Sequence, residues 1–176
     1  MAIAAPLVAF VSTLGLIMLY LGSWYGNPDI ISPARIAQLQ NGGTADSLDQ
    51  TLALDATRVA TQFVGWSYYV LAVALILALA WNVLALAGER SVAGPASQTR
   101  SLGLWWGLLF AYAVIVPVLW YILIFPHDLG ILVDVPRQVR GAAPTFLAGL
   151  FIYWAGTAFG ATRVMKPSVP FASALV

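Results

Sequence analysis

The chain has a single imidazole, His127, and with the carboxylates of Asp128, Asp134 and Asp29 it could form a transition-metal site. Their spacing matches no specific ligand pattern. A histidine beside a helix end at a membrane interface is more often solvated or capping. The expectation is therefore no metal, with His127, Asp128 and Asp134 as the weak candidates. The same His127 and loop carboxylates are what an interfacial membrane enzyme would have to use.

Other chemistries are excluded by what is missing. There is no cysteine, which removes disulfides, thiolate metal sites and thiol redox chemistry. Four-span disulfide-forming oxidoreductases need cysteine pairs, and four-span haem proteins need several histidines. One histidine cannot supply bis-histidine haem ligation within this chain. No lysine lies in an apolar stretch, so no retinal Schiff base can form. Proton relays and ion-coupled carriers usually place a charge in mid-membrane, and none is found there. There is no nucleophile–base–acid constellation and no glycine-rich phosphate loop. No catalytic residue is assigned, and any cofactor is unknown.

The elements that carry these residues are set by composition. Of 176 residues, 61% are hydrophobic and 9% charged, against about 25% charge in a soluble domain. That implies one all-α integral membrane domain. The net charge of +1 and the lack of a basic cluster exclude a nucleic-acid partner. The basic residues are arginines except Lys166, a usage that suggests a GC-rich bacterial genome and hence a bacterial inner membrane.

Charges punctuate the chain into four apolar stretches, each able to hold the ~20 residues a membrane helix needs. The expected spans are 4–24, 60–86, 102–124 and 144–162, with a kink at Pro117. The first stretch lacks the basic start and short apolar run of a cleaved signal peptide, and is read as a retained helix. Aromatic doublets mark the span ends: Trp24-Tyr25, Trp105-Trp106 and Trp120-Tyr121 are expected as anchors at the lipid–water interface. Tyr153-Trp154, in mid-span, should pack between helices.

An even number of spans puts both termini on one side. Lysine and arginine tie at four on each side (Arg90, Arg100, Arg163, Lys166; and Arg35, Arg58, Arg137, Arg140). Six of the seven acids (Asp29, Asp46, Asp49, Asp55, Asp128, Asp134) fall on the side of the long loops, against Glu89 alone on the other. The side with short, net-basic segments is expected to be cytoplasmic, although acids weigh little in that rule.

The first loop opens on the turn signal Gly26-Asn27-Pro28-Asp29. Ser32-Pro33 should start a short interfacial helix through Gln40, with Ser32 as N-cap and Ile36 and Leu39 on the side facing the membrane surface. Asp46 to Asp55 reads as a water-side extension of span two. Glu89 to Arg100 reads as a plain connector. His127 to Ala143 is read as a third loop whose 130–133 portion re-enters the interface. Residues 167–176 are read as an extended tail. The order of aromatic, proline and charged residues after Trp24-Tyr25 partly repeats after Trp120-Tyr121. Two tandem helical hairpins would explain it, and would bring the two long loops together on one face.

One pattern points to packing. Gly149, Gly156 and Gly160 share a face of span four, and Gly156 to Gly160 is a GxxxG match, which lets helix backbones approach closely. Gly15 and Gly22 form a second small-residue face on span one. These faces, the many aromatics and the lack of chemistry lead to the expectation of a non-catalytic subunit of a larger membrane complex. Its partners would be lipids and other membrane subunits or further copies of itself, with cofactors held by neighbours. The alternatives are a small oligomeric transporter or channel and the interfacial enzyme described above.

Overall fold

The structure, a computed structural model, describes residues 3–41, 45–91, 95–123, 129–162 and 165–172. Its helices are α1 (Ala4–Gly22), a 3-10 turn (Pro28–Ile30), α2 (Pro33–Gln40), α3 (Ala45–Ser91), α4 (Pro95–Leu123), α5 (Leu129–Leu132), α6 (Val135–Gly160) and a 3-10 turn (Lys166–Ser168). Four of these, α1, α3, α4 and α6, are long and apolar enough to cross a membrane. The chain is an all-α, multi-pass membrane protein.

Several boundaries differ from the sequence-based expectation. Helix α3 has 47 residues, about 70 Å at 1.5 Å per residue, so it must stand well out of a hydrocarbon layer about 30 Å thick. Leu48, Leu52, Ala56 and Val59 fall on one side of that protruding part and pack into the core. Helix α4 starts at Pro95, inside what reads as a connector. Helix α6 starts at Val135 rather than 144. Asp134 caps it by accepting from the Arg137 backbone N–H, with Pro136 in the first turn. This is the Ser32-Pro33 device over again: Ser32 accepts from the Arg35 N–H ahead of α2. Helix α4 runs through Pro117 without interruption.

The described part of the expected tail, residues 167–172, is not extended. Residues 165–172 make a 3-10 turn and fold back on the bundle, with Met165, Ser168, Val169 and Ala172 all buried. Ser168 Oγ donates to the Gln98 carbonyl at 3.1 Å, and Trp154 Nε1 donates to the Pro170 carbonyl at 2.9 Å. Two prolines do not prevent this, because a 3-10 turn accepts proline at its start.

The centre of the bundle is the pair α3 and α6. A side chain on Gly141 would meet Phe63, one on Gly156 would meet Ala78, and one on Gly160 would meet Asn82. Ser67 and Thr145 share a hydrogen bond of 2.8 Å. Every one of these pairs is 78 residues apart, as in the Ser67–Thr145 bond. A constant separation means that the two helices run in the same direction, in register, along their length. Residues at four-residue spacing line the seam, Gly141 and Thr145, then Gly156 and Gly160, while Gly149 faces Tyr112 of α4. Their small size allows the close approach, and cross-helix dispersion contacts hold it.

Helix α1 packs against both α6 and α3, while α4 packs its backbone closely on α3 and on the 3-10 turn Lys166–Ser168. Long side chains bridge α4 to α6. Tyr112 donates to the Phe146 carbonyl at 3.1 Å, Tyr153 to the Trp105 carbonyl at 2.8 Å, and Trp105 Nε1 to Thr157 Oγ1 at 3.0 Å. Tyr153 is fully buried between these helices.

Candidate functional site

Two regions concentrate the polar contacts: a cap built from the first and third loops, and the interior of the bundle. In the cap, Asn27 takes the backbone N–H of Asp29 on its side-chain oxygen at 3.0 Å, and this starts the 3-10 turn. The turn drives Ile30 and Ile31 into the core. Ser32 then fastens the first loop to the third. Its N–H donates to the Leu132 carbonyl at 2.7 Å, and its hydroxyl donates to the Ile131 carbonyl at 3.1 Å. Arg137 Nε donates to the Asp29 carbonyl at 3.0 Å. Arg35 bridges to Asp55 at 3.0 Å, tying α2 to the protruding part of α3. Leu132 and Val133 are buried in the core. The apolar side of α2, Ile36 and Leu39, packs against this same core rather than away from the protein.

Asp134 is already committed, as the cap of α6 and as the ion-pair partner of Arg137. Arg137 joins Asp134 to the Asp29 backbone, so these parts of the weak metal set do come together. They do so around a guanidinium, which makes a structural tie. His127 and Asp128 lie outside the described residues. Among the described residues no group of three or more His, Cys, Asp or Glu could hold a metal ion.

The aromatic doublets divide in two. Trp24 is 4% exposed and Tyr25 45%; Trp105 is 5% exposed and Trp106 53%. Tyr121 is 66% exposed, while Trp120 packs edge-on to Phe63 and Trp66. Neighbouring residues on a helix point about 100° apart, so a doublet sends one ring inward and the other outward. Trp24 and Trp105 are thus core residues, Trp120 is a partly buried ring packed on the core, and Tyr25, Trp106 and Tyr121 are the outward members. At the loop end, Tyr20, Trp24, Phe63, Trp120 and Trp66 form one unbroken chain of edge-to-face ring contacts. Such contacts are worth about 0.5–1.5 kcal/mol each beyond their area.

The polar groups of the bundle interior are largely paired across helices. Besides the contacts above, Trp81 Nε1 donates to the Ser101 carbonyl at 3.0 Å. Asn82 Nδ2 donates to the Gly156 carbonyl at 3.2 Å. By sequence Asn82 reads as water-exposed near a span end, yet it is 2% exposed. Gln62 Oε1 and Trp66 Nε1 are buried without a hydrogen-bond partner in the described structure. This interior can hold helices in register.

The packing glycines also separate. Gly149 takes the Tyr112 hydroxyl, Gly156 takes Pro6 and Ala78, and Gly160 takes Asn82. Gly15 and Gly22 have nothing within 4 Å, and neither do Gly103 and Gly107 on α4. Gly141 falls outside the expected fourth span, which starts at 144, and Thr145 falls inside it without standing out from other hydroxyls of the spans. The spacing of four from Gly141 through Thr145 to Gly149 was the available signal.

No protein-family model, curated protein or solved structure matches the chain.

The cap yields a test of its own. Arg35→Ala should cost about 1 kcal/mol or less, in the usual range for a partly exposed ion pair. Hydrogen exchange in detergent should quicken in α2 and in the 129–133 segment, while α3 beyond Val59 and α6 beyond Gly141 keep their protection. Equal loosening of the spans would mean that the cap and bundle unfold as one unit.

Proposed function

We propose that the protein is a non-catalytic integral subunit of a larger membrane complex in a bacterial inner membrane. The observation that carries this reading is the use of the polar groups inside the bundle. Ser67, Trp81, Asn82, Trp105, Tyr112, Thr145, Tyr153 and Thr157 all bond across helices. Polar side chains spent in this way stabilise a scaffold, with Gln62 Oε1 and Trp66 Nε1 as interior exceptions. The outer faces of α1 and α4 are the least buried of the four spans. They carry open glycines at Gly15, Gly22, Gly103 and Gly107 beside exposed Leu19, Trp106 and Phe110. Neighbouring helices and lipids are the partners these faces suit. The face bearing Arg90, Arg100, Arg163 and Lys166 is taken as cytoplasmic, on its short basic segments.

The test is extraction from native membranes in mild detergent, followed by sizing, mass spectrometry and an absorption spectrum. The expected result is comigration with larger partners at fixed stoichiometry. Migration as a homo-oligomer alone would sink this reading and direct the next experiment to flux measurements in vesicles.

A further inference from the structure

We infer that residues 165–172 dip back into the bilayer interface on the side of the α3–α4 connection, and that Phe171 is seated among the lipids of that leaflet. The first support is depth. Trp154 Nε1 donates to the Pro170 carbonyl at 2.9 Å. Trp154 lies six residues before Gly160, the last residue of α6, which is about 9 Å down the helix axis. Helical side chains tilt toward the helix N-terminus, and for α6 that direction leads further into the span. Pro170 therefore lies well inside the end of α6, at the level of an apolar, charge-free stretch. Ala172, fully buried, and Val169, 2% exposed, pack in the core cluster with Trp105 and Tyr153, which holds the segment at that level.

The second support is conformational. Ala172 N–H donates to the Val169 carbonyl at 3.1 Å, closing a four-residue turn. Pro170 is its second residue and Phe171, at φ 64°, its third. A turn of this kind favours proline at the second position and glycine at the third. A bulky aromatic with positive φ is an outlier and persists where the surroundings over-determine it. Here the strained backbone turns the Phe171 ring outward, 82% exposed, the most exposed large apolar side chain on the molecule's described surface.

The third support is the surface that the ring joins. Phe151 and Phe159 are both more than half exposed on α6 and flank Trp154, with ring centroids 6.4 Å from it on either side. Phe171 follows Pro170, which Trp154 holds, so its ring extends an aromatic face already on a membrane span. A phenyl ring has no polar handle and is buried on the acyl side of the headgroup boundary, so the occupant that fits is the upper acyl zone of the lipids.

The chain has no cysteine, so Phe171→Cys gives a unique site for a nitroxide label. The labelled protein would be studied in phosphatidylethanolamine–phosphatidylglycerol vesicles and in native membranes. Ile76→Cys, on an exposed face of α3, serves as the lipid-facing reference and Asp49→Cys as the aqueous one. At position 171 the label should collide with dissolved oxygen more often than with a water-soluble nickel chelate, as at Ile76. A preference for nickel, as at Asp49, would overturn the inference. So would shielding from both reagents in native membranes, which would put a protein on this face. Pro170→Cys provides a second reading by the same criteria should the first variant not reach the membrane.

Discussion

Gly156→Leu should be the most damaging single substitution in the bundle. A Cβ at this position would lie 3.1 Å from the Ala78 Cβ and 3.1 Å from both Cα and Cβ of Pro6. Neither neighbour can swing aside, since one is a methyl group on α3 and the other is the backbone of α1. A leucine can be accommodated only by moving α1 or α3 away from α6. Overpacking of this sort usually costs about 1–3 kcal/mol. The rigid surroundings place this case at the upper end, at about 3 kcal/mol. Thermal unfolding in detergent, followed by the loss of the monodisperse species, would measure it. Gly15→Leu is the matched control, because nothing lies within 4 Å of Gly15. It should leave the isolated protein unchanged, and any effect it has on what copurifies would report a partner on α1. If Gly156→Leu were as stable as Gly15→Leu, the close approach of α6 to α1 and α3 would be wrong.

Gly149→Ala should come next, through a different route. The three atoms nearest to the new methyl all belong to Tyr112, and the hydroxyl is the closest of them. Tyr112 must withdraw, and its 3.1 Å bond to the Phe146 carbonyl is then lost. Helix α4 reaches α6 through such side chains, so the substitution loosens a whole helix. The expected cost is about 2 kcal/mol, from overpacking together with a lost hydrogen bond of about 1 kcal/mol. The sign of coupling makes the prediction specific. Tyr112→Phe alone should destabilise, because it leaves the Phe146 carbonyl without that donor. In the Gly149→Ala background it removes the clashing oxygen, so the double variant should be more stable than the sum of the two singles predicts. Additive losses would mean that Gly149 and Tyr112 do not meet.

The four spans were legible because charge is costly in hydrocarbon and the chain confines it to the ends of long apolar runs. Helix ends were less so. Ser32-Pro33 reads as the start of α2, yet the equivalent Asp134-Val135-Pro136 falls inside what reads as the third loop, His127 to Ala143. Arg137 and Arg140 do lie on α6, on the part that meets the cap. The inward and outward members of each aromatic doublet could not be told apart from sequence, because both rings suit an interface. The tertiary contacts of Trp24, Trp105 and Trp120 decide it. The seam was half legible: Gly156 and Gly160 announced themselves, but nothing in the sequence says that their neighbours are Ala78, Pro6 and Asn82 rather than another chain. The path of residues 165–172 was not legible at all, since it depends on Trp154 and Gln98 reaching them.

The parallel run of α3 and α6 has a further electrostatic consequence. Each helix carries a macrodipole with its positive end at the N-terminus, so the central pair points two positive ends at the same face, that of the long loops. Anions are favoured there. Asp134 caps α6, Asp46 and Asp49 fall within the first five residues of α3, and Asp29 sits in the first turn of the 3-10 segment. Asp55 is held by Arg35. Asp134, Asp46 and Asp49 thus stand where α6 and α3 begin, whichever way the protein is inserted. The opposite face, where α3 and α6 end, gathers the two negative ends of the same pair.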